Sequence, residues 1–396
     1  GSIALHSNRT EVLAETVFAW LRSHPLGPLE QEVVLVQSNG MAEWFKMALA
    51  REGGVCAAVR VELPGRFLWR TYRQVLGRDN VPFQSPVDKA ALTWRLMRQL
   101  PELLDTPGFE PIAGFLHGGD AGRLLQLATR LADLLDQYQV YRPDWLGDWE
   151  RGTDALSAPG RPTLAVPDDQ RWQPLLWRWV LASLDARERS AIRPHIHQQA
   201  LQVLLNEGQG EGEGTAALAQ PVARRVVLFG MAQVPLPVLE TLAALAGHTQ
   251  VLLAVPNPCR FHWADTMDGR ELLQLERRRQ PLRQGRDLAA VSLEAMHAYA
   301  HTMLAAWGRQ GRDFVRQLGA FDDAQQAQQR FALPRIDLFG EDADVDGGPD
   351  MSLLAHVQLC IFDLVPLAEH PAHATNGADR SEERRVGKEC RSRWSP

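Results

Sequence analysis

A strand, a turn of small residues and a helix together place backbone N–H groups around an anion. The stretch LVQSNGMAEW (35–44) has that layout. EVVLVQ (32–37) is a β-branched run of the kind that makes a buried strand. Ser38, Asn39 and Gly40 suit a tight turn. Met41, Trp44, Phe45, Ala48 and Leu49 then recur at helical spacing. A working phosphate loop reads G-x-x-x-x-G-K-[ST], because its lysine reaches the phosphates and its hydroxyl holds Mg²⁺. Met41, Ala42 and Glu43 follow the glycine instead. The corner has the shape of a nucleotide site without the groups of an ATPase.

Other stretches carry chemistry of a different kind. In GRFLWRTYR (65–73), Arg66, Arg70 and Arg73 share one helix face, with Trp69 beside them. Guanidiniums next to an indole suit a nucleic-acid single strand, which offers phosphates to pair and bases to stack. An ordinary amphipathic helix with a core tryptophan accounts for the same residues. In RLADLLDQYQVYRPDW (130–145), Leu131, Leu134, Leu135 and Tyr138 form an apolar stripe. Asp133, Asp136 and Gln137 share the polar face, and Arg142 follows. Two carboxylates one turn apart suit metal binding, acid–base work, base reading or plain solvation. ERRRQPLRQGRD (276–287) is rich in arginine and fits either a nucleic-acid backbone or an exposed helix end. DADVDGGPDMSL (342–353) opens like a calcium loop, but Leu353 stands where a bidentate glutamate is required. It reads as a solvated loop. H-E-x-x-H, G-x-S-x-G and a usable phosphate-loop lysine are all missing, so no active site is expected.

The elements that must hold these residues follow from the pattern. The 396 residues, 45% of them hydrophobic, suffice for two or three domains. Strand, helix, strand, helix over 3–90 is an opening α/β unit. From about 88 to 205 the pattern is helical, with helices expected at 90–104, 122–141 and 171–184 and a loop at 151–169. NEGQGEGEGT (206–215) has linker composition. RVVLFG (225–230), PLPVLETLAALAG (235–247) and TQVLLAVPNPC (249–259) then read as strand, helix, strand, a βαβ unit that implies a parallel sheet. The economical arrangement is an α/β parallel-sheet domain interrupted by a helical insertion. Its parts are 1–88, the first piece of the sheet domain; 89–215, the insertion; and 216–379, the return of the sheet with a helical extension.

Composition narrows the setting. No apolar run is long enough to span a bilayer, and the N-terminus lacks a signal-peptide pattern. Cys56, Cys259, Cys360 and Cys390 make no C-x-x-C pair, which fits a reducing cytosol and no zinc site. Net charge is −6, and arginine supplies nearly all the positive charge, lysine occurring only as Lys46, Lys89 and Lys388. That bias fits a GC-rich genome as well as phosphate recognition. The last stretch, RSEERRVGKECRSRWSP (380–396), has no apolar periodicity and resembles translated sequencing adapter. It is expected to be non-native, so that the natural sequence stops near Asp379 within a longer parent protein.

HSNR (6–9), LVQSNGMAEW (35–44), LADLLDQYQVYRPDWLGDWE (131–150), VPNPCRFHWAD (255–265) and LAAWGRQGRDF (304–314) together resemble the N-terminal part of the RecC family. RecC proteins are the gamma subunits of bacterial RecBCD helicase–nucleases (exodeoxyribonuclease V). The similarity runs in order from about residue 3 to about 378. It implies a superfamily-1 helicase-like (RecA-like) fold whose ATPase motifs are lost. It implies a non-catalytic DNA-binding role in double-strand break repair and homologous recombination. Such subunits split duplex ends and scan the 3′ strand for the Chi sequence. RecB-like and RecD-like partners in a heterotrimer, a bacterial cytoplasmic location, and ATP and Mg²⁺ held only by the partners are implied as well. The family's strand-reading positions correspond to Gln37, Asn39, Glu43, Leu63, Trp69, Asp133, Leu134, Asp136 and Arg142, with Arg193 added on a looser match. Arg66, Arg70 and Arg73 are expected to hold phosphates if they face the channel.

Two positions depart from the family pattern: Asn39 stands where threonine is familiar, and Glu43 where glutamine is. An ionised glutamate only accepts hydrogen bonds, and the groove edge of guanine offers only acceptors. Glu43 therefore disfavours a guanine contact that glutamine would make. Gln37, Glu43, Trp69, Asp133, Asp136 and Arg142 are expected to converge on one groove. The competing readings are an active ATPase, against which the missing lysine argues, and a scaffold that braces partner subunits without reading bases.

Overall fold

The computed structural model describes residues 1–118, 120–158, 161–209, 222–261, 263, 301–322, 334–339, 352–365 and 369–370. They divide into two compact units. The first comprises Gly1–Ala4, Phe18–Ala254 and Gly319–Pro334, and the second Leu5–Val17, Val255–Leu318 and Arg335–Pro396.

The chain opens with β1 (Ser2–Ser7), α1 (Thr10–Ser23), β2 (Glu32–Leu35), α2 (Asn39–Gly53), β3 (Val59–Glu62) and α3 (Pro64–Leu76). A helical block follows: α4 (Lys89–Leu103), α5 (Glu110–Leu116), α6 (Ala121–Tyr141), α7 (Pro143–Glu150), α8 (Trp172–Ala182), α9 (Ala186–Ser190) and α10 (Arg193–Gln209). Between α7 and α8 lies a hairpin of β4 (Ala155–Ala158) and β5 (Arg161–Ala165). Then come β6 (Arg225–Phe229), α11 (Leu236–Leu245) and β7 (Gln250–Pro256). With β8 (Arg335–Asp337), the main sheet has the order β3-β2-β6-β7-β1-β8.

In the first unit, β2 runs parallel to β3, from Glu32 opposite Val59 to Leu35 opposite Glu62. It also runs parallel to β6, from Val33 opposite Val226 to Leu35 opposite Leu228. β6 is parallel to β7. Strands from before and after the helical block thus share one sheet, the interrupted α/β arrangement that the sequence implies. β6 is buried along its whole length and β7 nearly so, which is why both read as continuous apolar runs rather than alternations. The helical block has its own core. Leu92, Leu96 and Leu100 of α4 meet Ala128, Leu131 and Leu135 of α6 around Trp149 and Trp177. Both indoles find acceptors, Trp149 donating to Ala155 O (3.0 Å) and Trp177 to Leu146 O (3.1 Å), as buried indoles require.

The structure corrects three local expectations. Asn39 and Gly40 are the first residues of α2, not a turn before it. The stretch 151–169 holds an antiparallel hairpin where its prolines and glycines suggest a loop. Residues 206–209 finish α10 rather than beginning a linker, and the rest of that stretch lies outside the described residues. Strand β3 comes from VRVE, a segment too short to stand out by periodicity.

The second unit adds α12 (Thr302–Trp307), α13 (Arg309–Asp322) as far as Leu318, and α14 (Leu353–Phe362). Cys259, Trp263, Leu304 and Val315 form its buried cluster. The Trp263 indole donates to Asn257 Oδ1 (2.9 Å). Gly308, between α12 and α13, lies so close to the preceding turn that a Cβ would sit 2.4 Å from Leu304 O. The arginine-rich stretch 276–287, residues 342–351 of the calcium-like loop and the tail 380–396 lie outside the described residues. Among the described residues, no helix is long and apolar enough to cross a membrane, and no cluster of three metal-ligating side chains occurs.

Candidate nucleic-acid interface

All of the following geometry lies within the first unit. Helix α2 begins where β2 ends. Ser38 is its N-cap, and the Met41 N–H donates to Ser38 Oγ at 3.2 Å. In a phosphate loop such N–H groups face the anion; at this helix start a serine side chain takes one. The first turn carries no cation, and Lys46 is paired with Glu43 at 2.9 Å. Trp44 does not fill the corner either: its ring stacks on Phe229, the last residue of β6, with centroids 6.0 Å apart.

The cavity opens beside this corner, at the carboxyl ends of β2, β3 and β6. Parallel α/β sheets bind ligands at that edge. Its volume is about 310 Å³. Gln37 enters from the end of β2, Met231 and Gln233 from the end of β6, and Leu68, Trp69 and Tyr72 from α3. Gln139 and Tyr141 of α6, with Arg193 and His197 of α10, close the far side. Pro64 at the first helical position sets the entry of α3, its fixed φ suiting a helix start. A second depression shares Gly65, Trp69 and Arg193 with this cavity and adds Arg66, Arg73, Phe83 and Asp88. A third shares Arg73 and Phe83 and adds Arg70, Gln74 and Arg78. The shared residues make one continuous surface along α3, from Gln37 past Trp69 to Arg78.

Arg193 is the electrostatic centre of the inner part. Its Nη2 donates to Asp88 Oδ1 at 2.8 Å. Its Nη1 lies 3.1 Å from Asp136 Oδ1 without hydrogen-bond alignment. Burial pushes the Asp136 carboxyl above its ordinary range; Arg193 pulls it down, while Asp88 and Asp133 push the same way as burial. Asp133 is bonded to Lys89 and accepts from Gln137 Nε2 at 3.2 Å, and the Lys89 bond holds its carboxyl below the usual range. Above the cavity floor, Tyr72 Oη contacts His197 Nδ1 (2.8 Å), and His197 Nε2 contacts Glu240 Oε2 (2.8 Å). This relay ties α3, α10 and α11 together, and burial raises the Tyr72 hydroxyl well above its ordinary range.

The residues singled out from sequence are therefore dispersed. Gln37, Trp69 and Arg193 line the cavity, and Asp136 joins through Arg193. Arg66 and Arg73 line the adjoining groove. Arg70 reaches only the outer part, its guanidinium donating to Glu62 at 2.6 and 3.2 Å. Leu63, half-buried, is the N-cap of α3, and Leu134 is half-buried on α6. Asn39 is exposed in the first turn of α2. Glu43, Asp133 and Arg142 line none of the three depressions, so the expected convergence fails for them; Asp136 lines none either and joins only through Arg193. Glu43 points outward to Lys46. Arg142 is bidentate to Asp144 (3.0 and 2.7 Å) and lies 3.9 Å over the Trp145 ring. Phe83, Arg78, Gln233 and the His197 relay belong to the surface although no motif contains them. Phe83 alone left a trace, as a single aromatic in the polar run RDNVPFQSP (78–86).

A family model for the RecC N-terminal domain matches residues 3–364. The chain is 31% identical over 373 residues to RecBCD enzyme subunit RecC of Escherichia coli K12, an alignment covering 91% of the chain and 30% of that protein. It is 29% identical over 346 residues to the same subunit of Haemophilus influenzae, covering 79% of the chain and 30% of the relative. It is 28% identical over 327 residues to that of Mycolicibacterium smegmatis, covering 80% and 25%. The chain thus spans less than a third of the length of these relatives. Family match and identity agree: the chain belongs to the RecC family, matching its N-terminal domain.

Proposed function

We propose that this chain is the DNA-binding, non-catalytic N-terminal part of a RecBCD-type subunit acting in double-strand break repair. In this reading it helps split the incoming duplex and reads the 3′ strand for Chi. It assembles with RecB-like and RecD-like subunits, which hold the ATP and Mg²⁺, in the bacterial cytoplasm. Its sheet is superfamily-1 helicase-like with the ATPase groups lost. The observation that carries this reading is the cavity at the carboxyl ends of β2, β3 and β6. It presents Gln37, Trp69 and Arg193 at the edge where an ATPase would present its lysine. The capped start of α2 supports the absence of phosphate binding. A scaffold role without base reading is supported by one opposing fact: Arg70, Arg142, Asp133 and Glu43 are already engaged with neighbouring charges.

The two are separated by fluorescence anisotropy with labelled single strands and with a labelled ATP analogue. The DNA-reading subunit binds the strand in a salt-dependent manner and ignores the nucleotide. A chain that binds no strand at low salt leaves only the scaffold. Nucleotide turnover abolished by changes within residues 37–43 would restore the ATPase reading instead.

A further inference from the structure

Phe83 is 92% exposed, although phenylalanine has no polar group to satisfy in water. A single exposed apolar residue is unremarkable by itself; the surroundings of this one are not ordinary. The Arg73 guanidinium lies 4.8 Å from its ring centroid and 5.7 Å from that of Trp69. One arginine therefore bridges the exposed phenyl ring and the indole that enters the cavity. Phe83 lines both outer depressions, together with Arg66 and Arg193 on one side and Arg70 and Arg78 on the other. Among the described residues, Arg66, Arg73 and Arg78 form no ion pair, whereas Arg70 is held by Glu62, and Arg193 by Asp88 and Asp136. Asp88 is the one carboxylate lining these two depressions.

We infer that Phe83, backed by Arg73, is a base-stacking platform for a nucleic-acid single strand, one step outside Trp69, with Arg66 and Arg78 holding the flanking phosphates. The inference rests on the DNA-binding reading and extends it to residues that no motif contains. Charge complementarity selects the occupant: an open aromatic face among three unpaired guanidiniums matches a chain that alternates flat bases with anions. An apolar protein knob would meet the same ring but would leave those cations without partners.

The test uses the full chain and a fluorescein-labelled oligothymidylate, with a series of strands in which one abasic nucleotide is walked along the sequence. Phe83→Ala is expected to weaken the intact strand by about tenfold. One abasic position should weaken the wild type to a similar degree, and the two losses should not add, because each removes the same stack. Phe83→Leu keeps the apolar bulk and loses the π face, so it should behave like the alanine variant. Replacing Arg66 and Arg78 by glutamine should flatten the plot of log affinity against log salt by about 1.4, at about 0.7 per single-strand phosphate. The exposed ring has no core duty, and circular dichroism verifies that each variant is folded.

Phe83→Ala within twofold of wild type while Trp69→Ala loses affinity overturns the platform and leaves the strand-binding reading standing. Phe83→Leu binding the strand like wild type shows that apolar bulk rather than a stacking face is used, and also overturns it. No strand binding by the wild type removes both readings.

Discussion

Replacing Arg193 by methionine tests the electrostatic centre of the cavity. The arginine holds Asp88 at 2.8 Å and Asp136 at 3.1 Å, and the three side chains are only 26%, 30% and 27% exposed. Methionine fills most of the volume but leaves two carboxylates facing each other, with Asp133 close by. A hydrogen bond to a charged group contributes about 1.5–3 kcal/mol. One aligned and one misaligned contact, partly screened by water, give a loss of about 2 kcal/mol at pH 7.5. The sign of its pH dependence follows from Asp136. Its folded pKa already stands above its unfolded value because of burial. Such a group contributes stability below its unfolded pKa and loses it as pH rises through the folded pKa. Removing Arg193 takes away the main influence holding that pKa down, so the loss extends to higher pH and deepens at neutrality.

Urea unfolding at pH 7.5 and at pH 5 should therefore show Arg193→Met more destabilised at the higher pH, with about half the deficit recovered at the lower. Adding Asp136→Asn should restore part of the loss at pH 7.5, so that the double variant is less than additive. An equal deficit at both pH values, or strict additivity, would refute the reasoning: Arg193 would then act through packing alone.

Trp69→Ala should weaken single strands of every sequence by about tenfold, since stacking does not discriminate strongly among bases; anisotropy across several homopolymers checks this. Glu43→Gln should leave plain strand binding within twofold but alter the response to a panel of octamer sequences in the reconstituted full-length complex; an unchanged profile would show that position 43 reads nothing. Gly308→Ala should destabilise the second unit by about 2–4 kcal/mol, because the new methyl meets Leu304 O at 2.4 Å, an effect visible in thermal melts. His6 and His301, pushed down to about 4 by burial, bring stability that is present above the unfolded pKa near 6.5 and lost as pH falls through about 4. His301→Gln should flatten that acid loss in unfolding curves taken across the window.

The sheet was legible because its central strands are buried on both faces. RVVLF and QVLLAVP contain no alternation for another fold to claim, and helices flank them at crossover spacing. Helices α4, α6 and α8 were legible from spacing alone, since their buried apolar residues recur at three- and four-residue steps. What stayed hidden was set by partners distant in the chain. Hairpin β4–β5 is formed by a run whose prolines and glycines read locally as loop. Arg70 and Arg142 look like free cations on a helix face until Glu62 and Asp144 arrive beside them. Glu43 sits in the right motif, yet an (i, i+3) lysine draws it outward. Ser38 looks like a turn former until the Met41 N–H shows it to be a cap.

On the proposed reading, the division between paired and unpaired charge along α3 separates two tasks. In the cavity, Arg193 is held by Asp88 and Asp136, and His197 lies between Tyr72 and Glu240. Half-buried charges are held in this way, because removing one partner strands the other, at a cost of about 2 kcal/mol for Arg193. A base entering the cavity therefore gains little net electrostatic attraction. It has to match hydrogen bonds that Gln37 and Gln233 can each exchange as donor or acceptor, Gln139 being buried and donating to Val87 O at 3.0 Å. Selection by fit, not by charge, is what such a lining can do. Outside Trp69 the balance reverses. Among the described residues, Arg66, Arg73 and Arg78 form no ion pair and share these depressions with the exposed Phe83 ring, so that surface attracts any strand and distinguishes little. A strand would be captured by the outer groove through phosphate neutralisation and examined in the inner one through individual hydrogen bonds. Substitutions should therefore separate by place: outer ones move affinity and its salt dependence, inner ones move preference. The absence of a lysine after Gly40 fits the same logic, because an unpaired cation at the end of β2 would bind every strand alike and erase the selectivity of the cavity beside it.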